Sequence, residues 1–166
     1  METRATVTAK GAIFEGKAPQ IVQSALLSAM HEATMYLERK VKEKTPIGVY
    51  GAKGGLVSTV HGEVQKGIPV IKGIVAHQSK YGDVIEKGRT MGKPMPPAGT
   101  LLRWIEVKMG MDETQAMRIE FVVRRKIGRK GFEGARMFEK AFDESFPVIV
   151  GIFDRAGFDI ARRLNA

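Results

Sequence analysis

No cysteine occurs in the 166 residues. Disulfides, thiol nucleophiles and thiolate metal sites are therefore excluded, and the composition suits assembly in a reducing cytoplasm. Histidine is scarce as well: His31, His61 and His77 lie in unlike contexts. Neither H-E-x-x-H nor G-x-S-x-G is present. No apolar run approaches the roughly 20 residues that span a bilayer, so no membrane association is expected. The N-terminal METRATVTAKG lacks a basic stretch followed by a hydrophobic one, and no secretory signal is expected there. Acid is short too: 18 Asp and Glu stand against 27 Lys and Arg, a net charge of +9. That excess suits phosphates or an acidic protein partner. It also serves solubility and encounter rate with no specific partner at all.

What is present is ordinary in bulk, with 43% hydrophobic and 27% charged residues, as in soluble globular proteins. The length fits an N-terminal arm over residues 1–17 and one domain over 18–166. ATVTA at residues 5–9 reads as a short strand or an arm that orders against a neighbour. The first helix starts at Ala18-Pro19, where proline's missing N–H costs nothing. Apolar residues then recur at helical spacing from Ile21 to Val41. Pro46 biases Thr45 out of the helical region, which ends the helix near Lys44.

Residues 46–55 are expected to form a glycine-rich loop, a projection that orders on assembly and touches neighbouring proteins through Tyr50 and Lys53. It is not a phosphate-binding P-loop, because Lys53 precedes the last glycines and a helix, rather than a strand, leads in. Residues 56–64 and 68–77 have strand composition, with a hairpin turn at Lys66-Gly67. His61 and His77 could meet across that hairpin. A two-histidine metal site and plain surface histidines are both compatible with the pattern.

Residues 81–108 organise the rest. Tyr81, Val84 and Ile85 give a short apolar face closed by Gly88. Gly92, Pro94, Pro96 and Pro97 then leave little room for regular structure, since proline fixes φ and restrains the residue before it. Leu101, Leu102, Trp104, Ile105 and Val107 follow, spaced for one side of a helix over 100–109, ended by Gly110. The expectation is a stiff turn that presents Arg89, Met91, Lys93, Met95 and Pro96 to neighbouring proteins, with a plain connecting loop as the alternative.

Asp112 with Gln115 predicts a capping box opening another helix. Its apolar side includes Ala116, Ile119, Val122, Val123 and Ile127. Arg124, Arg125, Lys126, Arg129 and Lys130 form the densest basic cluster in the chain. They suit DNA or an acidic partner, or simply a solvated face. Gly128, Gly131 and Gly134 mark a break before a long C-terminal helix, which Pro147 should kink or split. The order predicts an α+β fold: a small hairpin-based antiparallel β-sheet packed by a long N-terminal helix and C-terminal helices. No acid–base or metal-binding set emerges. Glu86 has no partner carboxylate in its segment, and Asp143, Glu144, Asp154 and Asp159 do not cluster with a histidine. No enzymatic activity, cofactor or metal is expected.

Four segments in order resemble the tail-completion, or neck, proteins of long-tailed bacteriophages. K-T-P-I-G at residues 44–48 with Gly54-Gly55-Leu56 and an S-T-V stretch resembles that family's T-P-x-x-T-G-x-L-x-x-S opening. YGDVIEKG at 81–88 resembles Y-A-x-x-V/I-E-x-G. Pro96-Pro97 through Trp104 resembles P-P-x-x-x-L-x-x-W. RRKIGRKGFEGARMFEKAF at 124–142 resembles R-K-I-x-x-x-G-T-x-x-x-x-F-x-x-x-A. Val49, Tyr50 and Phe132 depart from the pattern. The resemblance covers roughly residues 20–165. It implies a non-enzymatic virion protein, present in host cytoplasm during assembly and afterwards in the neck. There it would form a homo-oligomeric ring, a hexamer by the symmetry of tail tubes, with head-to-tail contacts that close. The implied partners are the tail terminator, the tail tube and the head-side connector or stopper, with genomic DNA passing through the channel.

Overall fold

The computed structural model describes residues 13, 15–49, 55–67 and 70–165. It is a mixed helix-and-strand fold in which a small two-stranded antiparallel sheet is packed by long N- and C-terminal helices. Helix α1 spans Ala18–Lys44, and a single-turn helix α2 spans Gly55–Thr59. The strands β1 (Val60–Lys66) and β2 (Ile71–His77) pair as a hairpin. Helix α3 (Gly82–Lys87) leads into β3 (Gly88–Arg89), followed by α4 (Leu102–Met109) and α5 (Glu113–Lys130). Strand β4 (Phe132–Glu133) pairs with β3, and α6 (Met137–Leu164) completes the chain.

The chain gathers into two compact units, each discontinuous in sequence. One comprises the residues up to Tyr36, Gly62–Ile74 and those from Ser145 on; the other comprises Leu37–His61 and Val75–Glu144. In the first unit, Ala29 and Ala33 of α1 bury against Ile152 of α6, with Ile149, Phe153 and Ala156 around them. Alanines at a four-residue interval give α1 a shallow stripe that lets a second helix come close. Gly73 of β2 serves the same end. A Cβ there would lie 2.3 Å from Thr34 Oγ1 and 2.9 Å from Met30 Sδ.

The second unit is centred on Val41 of α1, Val60 of β1 and Ala141 of α6, joined by Leu37, Val75 and Phe138. Thr45 ends α1 there: its hydroxyl donates to Val41 O at 2.6 Å. Lys44 pairs with Glu144. Helix α4 packs on α5, and Ile105 is fully buried.

Several elements differ from the sequence expectation. The stretch 56–59 is a helical turn, and β1 begins only at Val60. Ser58 Oγ donates to Gly55 O and Thr59 Oγ1 to Leu56 O, bonds to i−3 carbonyls that stabilise a turn over a strand. Gly128 is a buried interior residue of α5, not a break. Pro147 does not split α6. Pro147 and Asp143, the residue whose carbonyl loses its helical donor, are both exposed, so water can satisfy that carbonyl. Trp104 and Val107 are about two-fifths exposed while Ile105 is fully buried, so α4 turns a narrower side inward than its apolar residues suggest.

Candidate functional site

The segment after β3 is not a free projection. It runs as a strap along α5. Gly92 N donates to Gly128 O at 3.0 Å. Arg124 Nε donates to Pro96 O at 2.7 Å. Leu101 N donates to Glu120 Oε1 at 3.1 Å. Glu120, Arg124 and Gly128 are spaced by four residues, one stripe of the helix surface. The strap therefore descends α5 from its C-terminal end. Gly128 is required by this arrangement, since a Cβ there would lie 3.0 Å from Met95 Cγ and 3.2 Å from Lys93 O. Its carbonyl is among the last four of the helix, which have no intrahelical donor. The strap supplies one. Arg89 adds a brace, its Nη2 donating to Pro94 O.

The base of the strap is tied by β3 and β4, with Gly88 opposite Glu133 and Arg89 opposite Phe132. Two glycines here adopt positive φ, Gly88 at 74° and Gly131 at 66°. A Cβ on Gly131 would sit 2.0 Å from Arg89 O, and one on Gly134 would sit 2.1 Å from Glu86 O. Only backbone without side chains fits such an approach.

Glu86 has a role that the sequence did not suggest. Its carboxylate accepts from Phe138 N at 3.1 Å and, more weakly, from Glu139 N at 3.4 Å. These are first-turn donors of α6, which otherwise lack partners. Ala135 N and Arg136 N donate to the carbonyls of Ile85 and Glu86. Thus α3 caps α6 across some fifty residues of chain, joining the YGDVIEKG segment to FEGARMFEK. Arg136, at φ 51°, is the one described non-glycine residue with positive φ. It pairs with Glu139, whose carboxyl this hydrogen bond holds below its usual value.

Of the residues expected to meet partners, Tyr50 and Lys53 lie outside the described residues. Arg89 and Pro96 are half-buried, Arg89 donating to Pro94 O within the strap and Pro96 O accepting from Arg124 of α5. Met91, Lys93 and Met95 are exposed, Met91 by 75%. Arg124 turns inward to Pro96, whereas Arg125, Lys126, Arg129 and Lys130 are exposed. Val122, expected on the apolar side of α5, instead faces out and is 62% exposed, as Met117 and Phe121 also face out. The inward stripe through Ala116, Glu120 and Gly128 is occupied by the strap and α4, which leaves Val122 on the far side. The signal for that face was available: Met117, Phe121 and Val122 sit at i, i+4 and i+5, beside the basic run.

His61 and His77 have different contacts. His61 Nδ1 lies 3.1 Å from Thr59 O. His77 is packed under Gly82, its Nε2 3.5 Å from Asp83 Oδ1 and its ring centroid 5.9 Å from that of Phe138. Among the described residues no group of three or more histidines and carboxylates could hold a metal ion. Within the same residues no helix is long and apolar enough to cross a membrane. Compared with family models, with curated proteins and with solved structures, the chain matches none.

Proposed function

We propose that the chain is a structural protein of a phage neck, completing the tail and joining it to the head as one subunit of a ring. The observation that carries the reading is how the polar residues of the motif-bearing segments are used. Glu86 and Arg124 each bond main-chain groups of another element, and Arg89 and Glu120 each bond the main chain of the segment leading to α4. Side chains committed in this way make a rigid block for docking. The exposed Met91, Lys93 and Met95 on the strap are the surfaces this reading assigns to neighbours. The ring, its hexameric number and its tail-terminator, tail-tube and connector partners rest on the motif resemblance together with this rigidity. Removing residues 49–53 from the gene in its phage is the test. Heads and tails should then accumulate unjoined while the protein remains folded. Normal virion yield from that deletion would falsify the reading.

A further inference from the structure

The outer face of α5 is divided along its length. Nearer its N-terminal end it presents Met117, Phe121 and Val122, each more than half exposed. Its second half presents Arg125, Lys126, Arg129 and Lys130, which with Val122 enclose one open depression. Scattered apolar exposure is normal on any protein. Three such residues on adjoining turns of one helix make a contiguous patch, which is the pattern of an interaction site.

The cations of α5 also differ in their setting from those of α1 and α6. On α1, Lys42 pairs with Glu38 and Lys40 with Glu43. On α6, Arg162 and Arg163 both pair with Asp159. On α5 none of Arg118, Arg125, Lys126, Arg129 and Lys130 has an ion pair among the described residues. Arg125 and Arg129, and likewise Lys126 and Lys130, are like charges four residues apart and repel each other. An anion seated on this face would remove that repulsion.

We propose that this face docks an acidic amphipathic segment of a second, different protein. Its apolar side chains cover Met117, Phe121 and Val122, and its carboxylates, one or two turns along, meet Arg125, Lys126, Arg129 and Lys130. A nucleic acid would use the cations and leave the apolar half in water. A second copy of this chain is a poor match, because it carries the same net charge of +9, and Glu32, Glu43, Glu139, Glu144 and Asp159 among its acids are already paired with cations of their own chain. The inference stands apart from the neck reading, since the face could bind such a segment whatever the protein's place in a particle.

The test is fluorescence anisotropy with the full chain and three labelled probes. They are a synthetic helical peptide with leucine on one side and glutamate on the other, polyglutamate, and a DNA duplex. The amphipathic peptide should bind tightest. The double variant Phe121→Gln/Val122→Gln should weaken it by about tenfold, the scale of a small interface hot spot. Arg125→Glu/Lys126→Glu should abolish binding. Because these positions are exposed, each variant should keep the parent circular dichroism spectrum; Met117→Gln replaces any that does not. Three results would each overturn the proposal. They are no binding of the peptide, DNA binding at least as tight and indifferent to Phe121→Gln/Val122→Gln, and self-association that this double variant abolishes.

Discussion

Replacing Glu86 with alanine should loosen the start of α6 from a distance. The wild-type carboxylate satisfies Phe138 N at 3.1 Å and approaches Glu139 N at 3.4 Å. Losing a side-chain cap costs about 1 kcal/mol, with a range of roughly 0.5–2. Losing the negative charge at the positive end of the helix dipole adds about 0.3–1 kcal/mol. The sum is about 2 kcal/mol. For a chain of this length each kcal/mol lowers Tm by roughly 2–4 °C, so Glu86→Ala should melt about 4–8 °C below wild type. Glu86→Gln keeps an acceptor and loses only the charge. It should fall between the two, near the dipole contribution alone. The assay is thermal unfolding by circular dichroism on all three proteins at equal concentration and neutral pH. Equal melting temperatures for Glu86→Ala and wild type would show that the carboxylate does not cap α6. A Glu86→Gln variant as stable as wild type would sink the charge argument while leaving the contact.

Two glycine substitutions should move stability in opposite directions. Gly131→Ala meets Arg89 O at positive φ and should cost upwards of about 2 kcal/mol in urea unfolding, within the range for a strained backbone position. Gly157→Ala lies in α6 with nothing within 4 Å of its new methyl and should stabilise by roughly 0.5–1 kcal/mol. Ser145→Ala should be at least as stable as wild type, because the fully buried hydroxyl has no hydrogen-bond partner among the described residues; a drop in Tm would reveal a bond to that oxygen. Glu139, with its carboxyl lowered in the folded state, contributes stability above its unfolded pKa that is lost as pH falls through the folded value. Arg136→Ala should therefore raise the Glu139 titration midpoint followed by carboxyl NMR, and an unmoved midpoint would refute the pairing.

Much of the helical framework was legible in the chain because its signals are local. Pro19 and Pro46 bracket α1, whose observed limits are Ala18–Lys44. The Asp112–Gln115 capping box forms as the spacing predicts, with Asp112 Oδ1 accepting from Gln115 N at 2.9 Å and Gln115 Oε1 accepting from Asp112 N at 3.2 Å. Gly110 closes α4 in the left-handed conformation. Each depends on residues within a turn of one another, so periodicity and capping chemistry suffice. At 56–59 the local signals conflict. Val57 and Thr59 favour strands in isolation, while the hydroxyl bonds of Ser58 and Thr59 favour a turn, and composition alone does not choose between them.

Residues whose partners lie far along the chain were a different matter. Nothing near Glu86 indicates that it caps a helix beginning at Met137, and nothing near Gly128 separates a helix break from a place where a strap lies against a helix. Arg124 and Arg125 are identical neighbours, yet one is bonded to Pro96 and the other faces solvent. By itself the sequence determined the limits of α1, the end of α4, the start of α5, the hairpin and the excess of positive charge, because these follow from local sterics and composition. Only the tertiary structure decided which polar groups are spent on backbone and which remain open for a partner. That division depends on where distant backbone donors and carbonyls come to rest, and local spacing holds no record of it.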